Sequence, residues 1–539
     1  MAKPKTPNQK RKYGELNKRL AKYVMLVESI YEDLNLEAAK IVGITDFTID
    51  SDRPFMWSDY PQTRKRIRDL QERFVEDIGA VIYSGTSEEW KNSNEVQDLL
   101  ANKVLQTYGA TIGKKNYEIL YQPNNDALKA FQQRKDKGFT ISDKLWNQST
   151  LYKQELEEAI SCAIQKGTSA IILSKQISKY LLDFPQLQKD YKERFGKASR
   201  SMDCEYRSIR LAASEINMAY RQAENLRWQQ MDFVVGYEIK LSNNHTCNGK
   251  PFQDICDILA GKYPKDFQWT GWHPLCRCYK IPILKTEEEF WEWDGRSEAT
   301  TASVNEVKDV PDAFKKWVLD NQERISTAKK RNTLPYFLRD NKSVYQKITV
   351  ESSISEIVKR ASSVGDEVQS TAERIAIKNG GYVTPINFKS TTSITRKVIT
   401  EGITPYDIKD AVRTTIIVPK SRIEDVLEEL HKTEGFLRLK RQKPESFMGY
   451  SGNIVNIRTT NGLTAEIQVN TERMIYAKER PEDAKRILGK KRWEEIHNET
   501  GMEGGLGHKY YEQWRILDKS SNEALKIVEK SIEYYSHFR

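Results

Sequence analysis

Two short stretches in the C-terminal part of the chain, VRTTIIV at residues 412–418 and TAEIQVNT at residues 464–471, decide its fold. Both are rich in β-branched residues, which favour strands. The second follows NIVNIRT (453–459) across an Asn461-Gly462 pair, the dipeptide that tight hairpin turns prefer. Helical patterns flank these strands. The region after about residue 370 is therefore predicted to be an α/β domain with a mixed sheet flanked by helices.

The second stretch carries an unusual polar pair. Alternation along a strand places Ala465, Ile467 and Val469 on one side and Glu466, Gln468 and Asn470 on the other. An acid and an amide side by side on an otherwise buried sheet predict a face that binds metal and positions a substrate. The alternative is a solvated sheet face.

A second acidic residue, Asp410, stands just before the first stretch, and Arg413 lies within it. If adjacent strands bring Asp410 and Glu466 together, their carboxylates could hold Mg²⁺, a hard cation that takes carboxylate and phosphate oxygens. The pattern therefore predicts a magnesium site at the start of these strands.

A cluster of phosphate donors precedes the strands. Helical spacing in KSTTSITRK, residues 389–397, places four polar side chains within about one face: Lys389, Ser393, Arg396 and Lys397. Phosphate oxygens need donors clustered in this way. A basic helix end is otherwise plain solvated surface, so the cluster indicates function only together with the two acidic residues.

Two further motifs complete the set. Tyr450 stands between glycines, where its ring could stack on a base, or it is a core or turn tyrosine. The segment GGLGHKYYEQWR (504–515) places His508, Glu512 and Arg515 on one helix face, although His508 could instead cap the helix.

These motifs, in this order, resemble the RelA/SpoT-like nucleotide pyrophosphokinase domain, most closely the divergent versions that serve as toxin effectors. The resemblance covers about residues 370–515. It implies transfer of the β,γ-pyrophosphate of ATP to a 3′-hydroxyl of a guanosine nucleotide, another nucleotide or tRNA. By motif, Lys389, Ser393, Arg396 and Lys397 would grip the ATP phosphates, Asp410 would bind Mg²⁺, Tyr450 would stack the acceptor base, and Glu466 would be the second metal ligand or general base. Further candidates are Arg413 and Gln468 for catalysis and His508 and Arg515 for nucleotide binding.

The chain departs from the family pattern at three places. Ile454 stands where alarmone synthetases usually have a His, and Asn387 replaces the Arg that opens the basic motif. Asp407 competes with Asp410 for alignment with the metal-binding aspartate. In addition, none of the six histidines is followed by Asp, so the His-Asp hydrolase of the bifunctional enzymes is absent and any product would accumulate.

A compact stretch further upstream concentrates zinc-type ligands. Within about 34 residues lie Cys247, Cys256, Cys276 and Cys278, with His273 as an alternative ligand. Zinc needs four such ligands at tetrahedral positions, but the spacings differ from the usual zinc knuckle. The alternative is a small knob held by tryptophan packing with buried thiols. Cys162 and Cys204 are predicted to be ordinary core cysteines.

The helix-strand-cysteine order from residue 210 to GWHPLCRC (271–278) resembles the phage head morphogenesis family, the Mu F-like minor head proteins. This resemblance covers about residues 126–284. It implies a virion component near the portal and does not imply an enzyme.

The long helix in this region shows one apolar stripe, formed by Ile209, Ala212, Ile216, Ala219, Ala223 and Leu226. Residues 1–22 are predicted to be a basic, mobile arm. The segment from Gly295, GRSEATTASVNEVKD, is the best linker.

The fold class is therefore multidomain α+β. A basic N-terminal arm and helix occupies residues 1–60, and a mainly helical minor head domain occupies 61–294 with its Cys/His knob at 233–284. A linker with short helices covers 295–350, and a nucleotidyltransferase-like synthetase domain covers 351–539.

Composition limits the class of protein to which the chain can belong. The 539 residues contain 86 Lys plus Arg and 76 Asp plus Glu, a net charge of +10. A mean hydropathy of −0.69, no apolar run of the roughly 20 residues that a membrane helix needs and sparse cysteines predict a soluble intracellular protein with no membrane partner.

Two functions are compatible with these features. The first is a phage minor head protein with an ATP- and Mg²⁺-dependent effector domain, located in the virion and then in the host cytoplasm. Its partners would be portal and head proteins, a nucleotide or tRNA acceptor and an immunity protein. The alternative is a purely structural virion component whose C-terminal domain is an inactive nucleotide- or nucleic-acid-binding module.

Overall fold

The protein is described by a computed structural model that covers residues 4, 6–44, 53–110, 113–164, 170–199, 202–242, 246–247, 250–251, 253–292, 303–443 and 448–539. It forms two compact units, Met1–Tyr345 and Gln346–Arg539. Both are rich in helices, and each contains sheet. In the described part of the chain, no helix has the length and apolar character needed to cross a membrane.

The first unit begins with eight helices: α1 Gln9–Ile44, α2 Pro61–Tyr108, α3 Lys114–Leu120, α4 Asn125–Gln133, α5 Ile141–Ala163, α6 Ala170–Leu182, α7 Phe184–Phe195 and α8 Cys204–Gln230. The knob follows with β1 Val234–Lys240, β2 Thr246–Cys247, β3 Lys250–Pro251, α9 Ile255–Leu259, β4 Gly261–Tyr263 and β5 Tyr279–Leu284. Four short helices come next: α10 Glu287–Glu292, α11 Asp312–Asp320, α12 Gln322–Lys330 and α13 Tyr336–Arg339. Helix α14, Lys342–Ser363, begins in this unit and ends in the second.

The prediction of a mobile arm at residues 1–22 is wrong from Gln9 onward. These residues form the first turns of α1, and Tyr13, Leu16 and Leu20 are buried in the main core. The spacing of three and four residues between them is helical and places their side chains on one face. The Tyr13 hydroxyl donates a hydrogen bond to Glu224 Oε2 at 2.6 Å, which fixes this end of α1.

Helix α8 has the predicted apolar stripe, since Ala212, Ile216 and Ala219 are fully buried. Polar residues on its other faces, including Arg221 and Glu224, are buried as well. Charged side chains tolerate burial when they are paired and hydrogen-bonded. Neighbouring elements supply those partners, so α8 lies at the centre of the unit rather than at its surface.

The segment predicted to be a linker with short helices is described only in part. Residues 293–302 lie outside the described residues. The helices that follow belong to the first unit: the Phe314 ring on α11 lies 5.4 Å from the Phe267 ring in an edge contact. The Asn341 side chain exchanges hydrogen bonds with the Gln268 backbone at 2.7 and 2.8 Å. Aromatic packing therefore joins these helices to the knob.

Glu155 gives the first unit a pH-dependent stability. Its side chain is 2% exposed, and burial raises its pKa to about 8 despite a hydrogen bond from the Tyr31 hydroxyl. The folded state therefore holds the proton at pH values where the unfolded chain has lost it, so stability should fall as pH rises from about 4.5 to about 8. This difference in pKa corresponds to ~5 kcal/mol of folding free energy.

We therefore expect Glu155→Gln, which cannot ionise, to stabilise the first unit relative to the parent chain at pH 9 but not at pH 5. Denaturant unfolding of the full chain at both pH values measures the difference. An equal difference at the two pH values would contradict the assignment of the buried proton to Glu155.

The second unit is built on a mixed sheet in the order β6-β8-β11-β10-β9, with β7 also paired to β8. The strands are β6 Tyr382–Val383, β7 Asn387–Phe388, β8 Val412–Ile417, β9 Phe436–Gln442, β10 Gly452–Arg458 and β11 Thr464–Asn470. The helices are α15 Gly365–Lys378, α16 Thr391–Glu401, α17 Ile423–His431, α18 Glu472–Lys478, α19 Pro481–Leu488, α20 Lys490–Thr500, α21 Leu506–Arg515 and α22 Asn522–Ser536.

The two deciding stretches form the centre of this sheet. Strands β8 and β11 are parallel neighbours, and β10 and β11 form the predicted antiparallel hairpin, with Gly462 at a positive φ of 80°. Ala465, Ile467 and Val469 are fully buried in the core that also contains residues of α15 and α17. One side of the sheet is thus apolar, and the opposite side is left to polar residues.

A second, smaller core is formed mainly by residues of the helices that follow β11: Met474, Tyr476, Ala477, Ile496, Tyr534, Tyr535 and Phe538. Helix α18 comes directly after β11, with Thr471 as its N-cap. This short connection brings the end of α18 close to the polar side of the sheet.

Candidate functional site

A row of polar side chains crosses the sheet of the second unit. The strand register pairs Arg413 with Glu466, Glu466 with Asn456, and Asn456 with Arg438. Paired residues on adjacent strands point to the same side, so all four share one face. Four strands at about 4.8 Å spacing make this row about 14 Å long. The polar face, defined by this row and by Gln468, is the candidate site.

A cationic cradle, formed by Lys389 and Lys397, meets the acid at one edge of this face. Lys397 Nζ lies 3.0 Å from Asp410 Oδ1, and Lys389 forms an ion pair with the other oxygen of the same carboxylate. Burial alone would raise the pKa of Asp410, but hydrogen bonds and attraction from both lysines hold it below its usual value. Asp410 is therefore ionised near neutral pH and keeps the two ammonium groups together.

Local structure explains why the lysines converge. Lys389 follows β7, and its backbone N–H donates to the Ala411 carbonyl at 2.9 Å, which fixes it beside the start of β8. Ser390 then caps α16 by accepting from the Ser393 N–H at 3.2 Å. Lys397 lies on the second turn of that helix and reaches back to the same acid.

The other two predicted phosphate contacts lie on α16. Ser393 accepts a hydrogen bond from the Ser390 hydroxyl at 3.0 Å, and Arg396 is exposed one turn further on. Lys389 precedes the helix, so the expectation that all four residues lie on one helix face is wrong in that detail. Their convergence comes from the turn between β7 and α16.

Glu466 is held by its neighbour on the same strand. Gln468 Nε2 donates to Glu466 Oε1 at 2.7 Å, and Gln468 Oε1 accepts from Lys478 Nζ at 3.0 Å. Lys478 also lies 3.0 Å from Glu479. Glu466 Oε2 has no hydrogen-bond partner within the described part of the chain, so one oxygen of the carboxylate is not engaged by another residue there.

The two acids are engaged by different groups. Asp410 binds the cradle lysines, and Glu466 binds Gln468. Glu466 is paired in register with Arg413, three positions after Asp410. Asn456, the other neighbour of Glu466, donates to the Lys409 carbonyl at 3.4 Å, so the segment before Asp410 runs beside the polar face.

Tyr450 does not have the free ring that the glycines beside it suggested. Gly449 has a φ of 78° and approaches the backbone of Ile532 so closely that a side chain would clash. The Tyr450 hydroxyl accepts a hydrogen bond from Asn470 at 2.8 Å, and the ring packs edge-on against Tyr535. The ring is half-buried at the end of the polar face, with its hydroxyl and one edge already engaged.

Helix α21 brings His508 toward the same network. Burial favours the neutral form of Glu479, but attraction to Lys478, Arg413 and His508 lowers its pKa. His508 Nε2 is buried and has no hydrogen-bond partner among the described residues. Arg515, the other predicted residue on this helix, forms an ion pair with Glu512 at 2.8 Å.

Comparison with known proteins finds a relative that is similar over part of the chain. The (p)ppApp synthetase toxin Tas1 of Pseudomonas aeruginosa (strain UCBPP-PA14) is 36% identical over 181 residues, which are 33% of this chain and 41% of that protein. About a third of the chain is thus similar to Tas1, and this part is called the Tas1-like domain below. The chain thus spans less than half the length of this curated relative. No family model matches the chain.

Two solved structures are similar to the Tas1-like domain. The crystal structure of the complex between the Type VI effector Tas1 and its immunity protein has 36% identity, covers 35% of this chain and 97% of that chain, and gives a TM-score of 0.32. The small alarmone synthetase 1 from Bacillus subtilis has 16% identity over 34% of this chain and 92% of that one, with a TM-score of 0.23.

The geometry distinguishes the two aspartates that sequence alignment left open. Asp407 accepts from the Thr404 hydroxyl and N–H at 2.7 and 3.0 Å and closes a capping box. Asp410 instead faces Lys389 and Lys397. Asp410 is therefore the acid of the cradle in the Tas1-like domain.

Sequence reasoning missed several residues of the polar face. Arg438 and Lys440 alternate along β9, and Arg438 Nε donates to Asn456 at 2.7 Å. The period-two charge pattern in FLRLKRQ was a usable signal for them. Lys478 and Glu479 had no such signal, because they reach the face only through the turn of the chain after β11.

The knob of the first unit brings three cysteines together. The thiols of Cys256, Cys276 and Cys278 are buried and lie within 4.8 Å of one another, and the Cys256 and Cys276 sulfurs are 3.8 Å apart. Tetrahedral zinc with bonds of about 2.3 Å places its sulfurs about 3.8 Å apart. Cys162 and Cys204 are buried elsewhere, as predicted for core cysteines.

His273 stands beside the same cluster. Its Nε2 lies 3.2 Å from the Cys256 sulfur and 3.3 Å from Asp254 Oδ2. Its Nδ1 lies 2.7 Å from the Pro274 carbonyl, which favours a proton on Nδ1 and a lone pair on Nε2. The Cys247 side chain lies outside the described residues.

Side chains of helix α8 donate hydrogen bonds to backbone carbonyls of the knob. The buried Arg221 guanidinium donates to the Cys276 and Cys278 carbonyls at 2.7 Å each and to the Thr270 carbonyl at 3.1 Å. Asn217 donates to the Cys276 carbonyl at 2.9 Å. These bonds explain the burial of polar residues on α8, and they fix the backbone that carries two of the cysteines.

Proposed function

We propose that the Tas1-like domain transfers the β,γ-pyrophosphate of ATP to the 3′-hydroxyl of an acceptor nucleotide. The observation that carries this proposal is the convergence of Lys389 and Lys397 on Asp410 at the edge of the face that bears Glu466. Because the curated relative is a (p)ppApp synthetase toxin, adenosine nucleotides are the acceptors we favour over guanosine nucleotides and tRNA.

In the proposed reaction the acceptor 3′-oxygen attacks the β-phosphorus, the bond from that phosphorus to the α–β bridging oxygen breaks, and AMP leaves. Lys389 and Lys397 would contact the phosphates and balance their charge, together with Arg396 and Ser393. Glu466 would take the proton of the 3′-hydroxyl through the oxygen that Gln468 leaves unoccupied. Such transfer depends on positioning and charge neutralisation more than on covalent chemistry.

The donor set also fits Mg²⁺, which prefers carboxylate and phosphate oxygens. Asp410 is the residue that would hold it, and Glu466 would be the second ligand only if another group takes the proton of the acceptor hydroxyl. When bound, the ion would neutralise phosphate charge. Asp410 would be available for this role once the phosphates draw Lys389 and Lys397 away from it.

Labelled ATP tests the proposal directly. The purified full chain is incubated with ATP labelled in the γ-phosphate, Mg²⁺ and one acceptor at a time: AMP, ADP, GDP, GTP or tRNA. We expect label to move to an adenosine nucleotide, with AMP formed in equal amount. If none of the acceptors receives label, the proposal is contradicted and the alternative of an inactive binding module is favoured.

We further propose that the first unit is a phage minor head component, so that the synthetase domain travels in the virion and acts in the host cytoplasm. The support is the ordered set of long helix, strand, cysteine loop and HPLCRC (273–278). Portal and head proteins would be its partners. Mass spectrometry of purified virions should detect the chain, and its absence from them would overturn this part.

An immunity protein is a further proposed partner, since Tas1 is known in complex with one. Such a protein would protect the producing cell from the synthetase domain. We expect co-expression of a gene that encodes the candidate immunity protein to restore growth of a host that the full chain inhibits. Unchanged inhibition would exclude that gene product as the immunity protein.

We also propose that the knob binds one zinc ion through Cys256, Cys276 and Cys278, with His273 or Cys247 as the fourth ligand. Elemental analysis of the purified full chain should find close to one zinc per chain. Cys276→Ser should lower the zinc content and the stability of the first unit, whereas Cys162→Ser should retain the metal. Zinc-free protein would contradict the proposal.

A further inference from the structure

Lys478 occupies an unusual position on the polar face. Its side chain is 27% exposed. Its ammonium contacts Gln468 and Glu479 and lies near the Tyr450 ring. Lys478 Nζ lies 3.0 Å from Gln468 Oε1 and 5.7 Å from the centre of the Tyr450 ring. A single cation thus lies between the strand that carries Glu466 and the residue predicted to stack the acceptor.

The contact with Gln468 fixes the orientation of an amide. An ammonium group has only donors, so the amide oxygen must face Lys478 and the amide nitrogen must point away from it. That nitrogen then donates to Glu466 Oε1 at 2.7 Å. With the amide reversed, its oxygen would face the Glu466 carboxylate and its nitrogen would face the ammonium, so both contacts would become repulsive.

The consequence for Glu466 is a carboxylate with two different oxygens. Oε1 is committed to Gln468, and Oε2 has no partner among the described residues. The hydrogen bond from Gln468 limits rotation of the carboxylate, so that Oε2 keeps one direction.

The same lysine is close to the acceptor platform. The face of the Tyr450 ring lies toward the ammonium, and the hydroxyl is held by Asn470, two residues after Gln468 on the same strand. Removing the cation would therefore disturb the amide and the ring together. The neighbouring Glu479 keeps the ammonium in place at 3.0 Å.

We propose that Lys478 is a positioning residue: by fixing the Gln468 amide it presents one oxygen of Glu466 to the acceptor hydroxyl and keeps the Tyr450 ring beside it. This role rests on the proposed pyrophosphate transfer. Lys478 acts through Gln468 and Tyr450 and does not itself contact the reacting atoms.

Kinetics of the full chain test the role. We expect Lys478→Met to lower kcat about 10- to 100-fold and to leave the KM for ATP within about twofold. Lys478→Arg keeps a cationic donor and should restore most of kcat. Gln468→Leu should lower kcat by a similar factor, and the double variant should add little to that loss.

Lys485 provides the matched control. Its ammonium lies 4.2 Å from the centre of the Trp493 ring on α20, so Lys485→Met also removes a lysine above an aromatic ring. We expect it to leave kcat unchanged. A loss of kcat of the same size in this variant would overturn the proposal.

The outcomes separate the two proposals. An active parent chain, together with a Lys478→Met variant that keeps the parent kcat, would overturn the role of Lys478 alone. A parent chain that transfers no pyrophosphate to any acceptor would overturn the proposed function and this role with it. If Lys478→Met is poorly folded, Lys478→Arg and Gln468→Leu still decide the question.

Discussion

Glu466→Gln should reduce pyrophosphate transfer by about 10³-fold, because general-base removal of a proton contributes 10²–10⁴ to such reactions. Glutamine keeps the size of the side chain and can still accept from Gln468 through its oxygen, so the strand should remain intact. The rate of AMP formation under saturating ATP and acceptor measures the effect. The KM for ATP should change little, since Lys389 and Lys397 are untouched.

The matched control is Glu494→Gln. Glu494 lies on α20 with 54% of its side chain exposed and lies 3.9 Å from Lys490. This variant loses the same charge at a distance from the polar face and should keep the parent rate. A Glu466→Gln variant as active as Glu494→Gln would remove Glu466 from the mechanism.

Asp410→Asn should have an effect of similar size, about 10²- to 10³-fold on kcat/KM, because one preorganised electrostatic group in a transfer site contributes that much. The carboxylate is the shared partner of Lys389 and Lys397 and the proposed Mg²⁺ ligand. Its loss leaves two close ammonium groups without a counter-charge. We expect the Mg²⁺ concentration for half-maximal activity to rise as well.

Asp407→Asn separates a structural from a chemical role. The Asp407 carboxylate accepts hydrogen bonds from Thr404 and does not contact the cradle lysines. The substitution should lower stability slightly, because the hydrogen bonds to Thr404 are weakened, and leave transfer unchanged. If Asp407→Asn abolished transfer and Asp410→Asn did not, the assignment of the cradle acid would be reversed.

The central sheet could be predicted because its signals are local. The β-branched run at 412–418, the alternation at 464–471 and the Asn461-Gly462 turn each specify a conformation without reference to distant residues. The alternation also predicted that Glu466 and Gln468 face away from the core. The match to Tas1 supports a synthetase domain covering about a third of the chain.

The features that were missed depend on partners distant in sequence. Residues 9–22 look like a basic tail, and only the core of the first unit shows why Tyr13 is buried there. Arg221 is buried because carbonyl oxygens about 50 residues later accept its hydrogen bonds. No periodicity encodes such contacts, since a polar residue on a helix is compatible with solvent or with a buried partner.

The same reason explains the corrections at the site. The glycines around Tyr450 indicated an open ring, but Tyr535 on α22 packs against it from the end of the chain. Lys478 carries no motif, and its role becomes visible only once β11 and α18 are placed side by side.

The most direct test of the account is the position of a bound ATP analogue. A crystal structure of the full chain with Mg²⁺ and α,β-methylene ATP, whose α–β bridge cannot be cleaved, should show the β- and γ-phosphates within hydrogen-bonding distance of Lys389 and Lys397, on the side of the sheet that carries Glu466. An analogue bound elsewhere, with both lysines still closed on Asp410, would contradict the account.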